Sequence, residues 1–256
     1  MSPATERDTS SWCEERLLRP HEPLQLARLF TPSAQRGGAT AIGALYIELE
    51  AIARGQRDLN VARMKLGWWR EELARLEAGE PAHPATRLLA ESNVSPAVGR
   101  LIDLVTCMEL SLLEGNPDSG AEASERAHRN GTRLVVTLNE TLASPLEEHD
   151  KVAPARLGRA IGLARMLGMN LTEAIHNEAL AQARADLVAD RRYLAACAPA
   201  VRVLAVLAWE HINHPNKDPS SQGANARLRV FRAWRAARGK YPRGLRKAVQ
   251  SGHSSA

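Results

Sequence analysis

The chain has 256 residues, of which 44% are hydrophobic and 25% charged, a balance that excludes general disorder and allows one domain with a sizeable core. A formal net charge of +5 permits an anionic partner, but the position of the surplus matters more than its total. Three widely spaced cysteines, Cys13, Cys107 and Cys197, form no CxxC or Cys/His ligand pair, which argues for a reducing compartment and against a disulfide framework or a zinc site.

Residues 1–29 read as a partly loose N-terminal extension; MSPATERDTSSWCEERLLRP carries acids and lacks the apolar run of a signal peptide, so a cytoplasmic protein is expected. A helix is expected at 39–54 and the next from Asp58 or Asn60, good N-cap residues, to Gly79, with Pro81 and Pro84 just beyond. Leu59, Ala62, Leu66, Trp69, Leu73 and Leu76 recur there at three- and four-residue steps and form one face, which Val61, Met64 and Trp68 widen. Trp69 therefore reads as core, whereas Trp68, about 100° round the helix, can also point to a cavity or a partner. Glu71 and Glu72 read as an exposed face, with Glu71 and Arg75 at ion-pair spacing.

Further helices are expected at 96–114, 120–143, 153–168, 172–195, 199–213 and 224–238, with loops at GNPDSG, ASPLEEHD and HPNKDPSSQGAN. No alternating strand pattern appears, so the fold class is all-α, a single-domain helical bundle over 30–213, followed by a linker at 214–225 and a basic helix and tail at 226–256. Gly158 and Gly162 mark a close helix contact, and DLVAD at 186–190 reads as a solvated charged face. The longest apolar stretches, such as VLAVLAW at 203–209, fall short of the ~20 residues that span a bilayer. There is no P-loop, GxGxxG or GxSxG motif, and His211 and His214 lack acidic or cysteine partners at ligand spacing.

From Arg227 to Lys247 the chain carries nine Lys and Arg residues and no acid, with Leu228, Phe231 and Trp234 at three-residue steps. Two readings of this segment stand side by side. One is a basic amphipathic helix that lies on an anionic membrane surface through Arg229, Phe231, Arg232, Trp234 and Arg235, making the protein peripheral on the inner face of a membrane. The other is a final helix packed on the bundle with a solvated arginine face. Nucleic acid is not expected as a partner, since no DNA- or RNA-binding motif accompanies the charge.

Several strings in order resemble the squalene/phytoene synthase family. They are ALY at 44–46, RMKLGWWREEL at 63–73, GEPAHPATRLL at 79–89, LIDLVTCMEL at 101–110, LGRAIGLARML at 157–167 and FRAWRAAR at 231–238. The resemblance implies an isoprenoid synthase fold, a helical bundle around a central cavity, whose active members join two prenyl diphosphates head to head. In such members magnesium held by two facing aspartate-rich motifs neutralises the departing pyrophosphate, and apolar walls shield the carbocation. Here the first motif, CR-x-x-DD-x-x-D after ALYAF, falls on Leu49 to Arg54, and its paired aspartates have become Ala53 and Arg54. The second, RD-x-x-x-D after QLTNIL, falls on Gly168, Met169 and Glu173. A thioether is a poor ligand for a hard cation.

The resemblance is therefore to eroded members of the superfamily, such as mitochondrial complex I assembly factors, more than to active enzymes. A non-catalytic or strongly impaired relative is expected, retaining the fold and a cavity for an isoprenoid or other lipid. The alternative is an active transferase using Mg2+ on Glu48, Glu50, Glu109 and Glu173, and a further reading is a membrane-associated assembly or interaction protein. Arg63, Lys65, Trp68 and Arg70 are the candidates for meeting a diphosphate or another ligand.

Overall fold

The structure, a computed structural model, describes residues 3–18, 22–55, 58–92, 94, 97–142, 152–166, 171–189, 193–194, 197–213, 224–242 and 245, with the backbone alone for 3–8, 152–154 and 224–227. Among these residues there are eleven helices and no strand. They are α1 (Pro3–Leu17), α2 (Pro23–Leu29), α3 (Ser33–Gly55), α4 (Leu59–Glu77), α5 (Pro84–Glu91), α6 (Val98–Glu114), α7 (Gly120–Leu142), α8 (Val152–Met166), α9 (Glu173–Ala189), α10 (Pro199–Asn213) and α11 (Ala224–Ala237). One apolar cluster runs through the bundle from Cys13 to Leu245. α10 is apolar almost all round, as its VLAVLAW run requires, and packs against α2, α7, α8, α9 and α11. All three cysteines are buried free thiols, and burial pushes that of Cys13 up to about 12.

The stretch expected to be partly loose, 1–29, contains α1 and α2, and Cys13, Leu17, Leu24 and Ala27 join the core. α3 begins six residues before the expected start at 39, because Gly37 and Gly38 belong to the helix instead of breaking it. A Cβ at Gly38 would collide with the side chain of Val94, so the absent side chain admits a neighbour. The linker expected at 214–225 lies outside the described residues up to 223, as does the tail from 246.

α4 starts where its cap allows. The Asp58 carboxylate accepts from the backbone N–H of Asn60 at 2.8 Å and of Val61 at 3.3 Å. Its stripe buries Ala62, Leu66, Trp69 and Leu73, while Leu59 and Met64, which periodicity assigns to the same face, are exposed at the helix start. Glu72 corrects the reading of an exposed acidic pair. It is 0% exposed, and its carboxylate accepts from the backbone N–H of Ala82 at 2.8 Å and of His83 at 2.7 Å, and from the hydroxyl of Thr86. Arg75 pairs with it at 2.7 Å, so the ion pair is Glu72–Arg75 and not Glu71–Arg75. Burial works to raise the Glu72 pKa, but these hydrogen bonds outweigh it and hold the carboxyl below the usual range. One buried acid thus fixes the turn GEPAHPAT, including the start of α5.

His83 completes that turn. Its Nδ1 accepts from the N–H of Ala85 at 3.1 Å and caps α5, and its ring meets Trp12 and Trp69 edge-on at 4.5 and 4.6 Å. Burial, chiefly, lowers its pKa to about 4.

DLVAD also departs from expectation. Asp186 is 3% exposed and receives two bonds of 2.7 Å from Arg159, and a third of 3.1 Å from Gln182. Asp190 lies outside the described residues. α7 and α8 touch backbone to backbone, as the small residues at 158 and 162 imply. A Cβ at Gly131 would strike the carbonyl of Gly158, one at Gly158 the backbone of Thr132, and one at Gly162 the carbonyl of Ala127.

Two outcomes follow from this packing. Gly158→Ala should destabilise the fold by about 1–3 kcal/mol, read as a lowered urea midpoint, because backbone and not a flexible side chain must move. The second concerns pH. The unfolded chain protonates His83 near its ordinary 6.5 and the folded chain only near 4, so this contribution is complete above about 6.5 and is lost as pH falls toward 4. His83→Asn keeps a capping oxygen that does not titrate; urea midpoints taken between about pH 7 and 5 should fall less steeply in that variant than in the wild type.

Candidate functional site

A cavity of about 290 Å³ opens between α3, α6, α7 and α8. Its apolar wall is Ala53, Met108, Leu112, Ala127 and Met166; its polar wall is Glu50, Arg54, Ser111, Arg126, Asn130 and Arg165. The absence of side chains at Gly131, Gly158 and Gly162 draws α7 and α8 together and thereby carries Arg165, near the end of α8, to the face of α3.

At that face Glu50 is held between two guanidiniums. Arg165 donates from Nη2 to Glu50 Oε2 at 2.7 Å, and Arg54, one turn further along α3, lies 3.0 Å from Oε1. The other arm of Arg165 donates to Glu22 Oε1 at 2.7 Å, and Glu22 in turn caps α2 by accepting from the N–H of Leu24 at 3.2 Å. The guanidinium also lies 5.2 Å from the ring centre of Tyr46. Burial by itself disfavours the charge on Arg165, but Glu50 and Glu22 more than offset this and raise its pKa well above the ordinary value. For Tyr46, burial first and then Glu50 push the phenol upward.

The other expected ligands point elsewhere. Glu48 pairs with Arg16 of α1 at 2.7 Å, and Glu109 of α6 pairs with Arg70 of α4 at 2.5 Å. Glu173 is the exposed first residue of α9. Gly168 and Met169 lie outside the described residues. The four glutamates therefore face four different surroundings, and among the described residues no three His, Cys, Asp or Glu side chains gather where they could hold a metal ion. The donor set does not suit magnesium, since Glu50, the one candidate on the cavity, already has its oxygens engaged by guanidiniums.

Arg63 and Lys65 are exposed on α4, and Trp68 is 41% exposed with Arg75 stacked 5.6 Å from its ring. None of these, nor Arg70, lines the cavity. Arg165, which lines it, and Glu22, which pairs with Arg165 from outside the lining, were not among the sequence candidates. For Arg165 a signal existed: in LGRAIGLARML it stands where the QLTNIL pattern has its asparagine, a change from a neutral amide to a cation. For Glu22 there was none, since nothing local shows that a helix cap will meet a residue 143 positions away.

Residues 19–102 match the family described as squalene/phytoene synthase. Two solved structures share this protein's all-α isoprenoid synthase fold along nearly the whole chain. One is a dehydrosqualene synthase in complex with ligand, at 13% identity and a TM-score of 0.66, covering 96% of this chain and 98% of that one. The other is the squalene synthase HpnC from Alicyclobacillus acidocaldarius, at 15% identity and a TM-score of 0.64, covering 90% of this chain and 97% of that one. No curated protein matches it in sequence. The family match includes α3, and with it the Glu50–Arg54 half of the polar cluster, while Arg165 lies beyond the matched residues.

Arg165→Ala should destabilise the protein by roughly 3–5 kcal/mol, because it takes the counter-ion from the nearly buried Glu22 and leaves the nearly buried Glu50 with Arg54 alone. Arg165→Lys should recover only part of the loss, since one ammonium cannot reproduce the fork that reaches Glu22 and Glu50 at once. Urea unfolding of the two variants checks both statements.

Proposed function

We propose that this protein is a squalene/phytoene synthase relative that does not perform magnesium-dependent head-to-head condensation, and that its cavity holds one amphiphilic guest, an isoprenoid or another lipid. The observation that carries the proposal is Glu50 bound between Arg54 and Arg165. A carboxylate that binds a divalent cation must offer its lone pairs to it, and here both oxygens already face guanidinium nitrogens, two from Arg165 and one from Arg54. The cluster of Glu22, Glu50, Arg54 and Arg165 holds two acids and two cations, so it compensates itself and gives a metal no excess negative charge.

The size of the cavity supports the same reading. About 290 Å³ lies just below the usual range of ligand sites, roughly 300–1,000 Å³, so the space bounded by the described residues suits one small guest better than two prenyl diphosphates together. Its apolar wall suits a hydrocarbon segment, while Arg54 and Arg126 offer donors to a polar end. Among the described residues no helix is long and apolar enough to cross a membrane.

The purified protein should form no squalene- or phytoene-type product from farnesyl or geranylgeranyl diphosphate, with or without magnesium, at a rate above background. Magnesium-dependent product that disappears in Glu50→Ala or Glu173→Ala would establish an active transferase with glutamate ligands instead. Solvent extraction of the native protein followed by mass spectrometry tests the guest. A lipid retained in stoichiometric amount supports the cavity's role, and its absence even after incubation with prenyl alcohols removes it.

A further inference from the structure

α11 packs in a way that its composition alone would not suggest. Its small residues face inward: Ala233 and Ala236 are buried, which lets the helix lie close to α10, and Arg232 reaches Glu210 of α10 at 2.9 Å. Its large apolar residues face outward. Leu228 is 42% exposed, Val230 43%, Phe231 49% and Trp234 37%. Phe231 is one of only two phenylalanines in the chain, so placing it here is not a matter of surplus.

The outer face is ordered by its own contacts. Phe231 and Trp234 stack with ring centres 5.7 Å apart, and the guanidiniums of Arg235 and Arg238 lie 5.8 Å and 4.3 Å from the centres of the Phe231 and Trp234 rings. The result is an apolar stripe flanked by cations, in a segment where nine Lys and Arg residues occur between 227 and 247 without one acid.

We infer that this outer face of α11 docks the protein on an anionic lipid surface, with Leu228, Val230, Phe231 and Trp234 entering the headgroup region and Arg235, Arg238 and Lys240 contacting lipid phosphates. Amphipathic rings prefer the depth at which hydrocarbon meets headgroup, and arginine stems span the same boundary. A second copy of the chain is a poor occupant, because it would set one row of cations against another. Single-stranded nucleic acid is also disfavoured: stacking of bases needs free ring faces, and those of Phe231 and Trp234 are occupied by each other and by arginine. The inference stands apart from any chemistry in the cavity.

Co-sedimentation of the full chain with vesicles provides the test, using phosphatidylcholine alone or in equal parts with phosphatidylglycerol. The wild type should bind the mixed vesicles and lose affinity as salt rises, and should bind neutral vesicles weakly. The double variants Phe231→Ser with Trp234→Ser, and Arg235→Gln with Arg238→Gln, should each weaken binding about tenfold or more. All four side chains project outward, so unfolding midpoints should stay near the wild-type value, and a fall in the first pair is controlled by the second. Lack of vesicle binding, equal binding to neutral vesicles, or undiminished binding by both variants overturns the inference. So does a concentration-dependent dimer abolished by the serine variant, or tighter binding to an oligonucleotide than to the mixed vesicles.

Discussion

A guanidinium cannot leave water alone, and the centre of this bundle is arranged around that constraint at Arg165. The desolvation of a cation in a helical core costs several kcal/mol unless acids meet it with good geometry. Here they come from two distant places, Glu22 ahead of α2 and Glu50 within α3, each 2.7 Å away. One residue of α8 thereby fixes the N-terminus of α2, the C-terminal part of α3 and the polar wall of the cavity. The N-terminal region is part of the same construction, since Glu22 caps α2 while α1 supplies Cys13 and Leu17 to the core.

The same logic recurs on a smaller scale around α4. Glu72 gathers two backbone N–H groups, a hydroxyl and Arg75, and so converts a Gly- and Pro-rich connection into a defined turn. The aromatic rings of Trp12, Trp69 and His83 then pack over it. The paired tryptophans divide between two environments on this account: Trp69 closes the core over the turn, and Trp68 lies half in solvent against Arg75.

What the sequence made legible was what repeats with helical period. The stripe Ala62, Leu66, Trp69 and Leu73, the buried α10 and the glycine contact of α8 follow from residue spacing, because an apolar face or a missing side chain has the same consequence in any partner's company. Charged residues behave otherwise. Glu72 and Asp186 look like surface acids in one dimension and Glu50 like a candidate metal ligand, and each is buried because its donor comes from another part of the chain: a turn, α8, or α8 and its own helix together. α1 escaped notice for a related reason, since its sequence is polar and its burial is limited to a few positions such as Cys13 and Leu17. For α11 the segment's basic and aromatic character was plain, but the spacing of Leu228, Phe231 and Trp234 could not say which face would meet the bundle.

The glycine contact between α7 and α8 bears on how the cavity can change shape. Two helices whose backbones touch at Gly131, Gly158 and Gly162 have no layer of side chains to slide on, so they move as one stiff plate. The Arg165 cluster ties α3 to that plate. α6, which contributes Met108, Ser111 and Leu112 to the lining, is tied to the same plate: Asn130 of α7 donates to Ser111 Oγ at 2.8 Å, and Arg129 and Arg126 of α7 pair with Glu114. All four helices around the space are thus braced against one another by backbone contact or by polar side-chain bonds, so its shape is set in advance and changes only where one of those ties is broken.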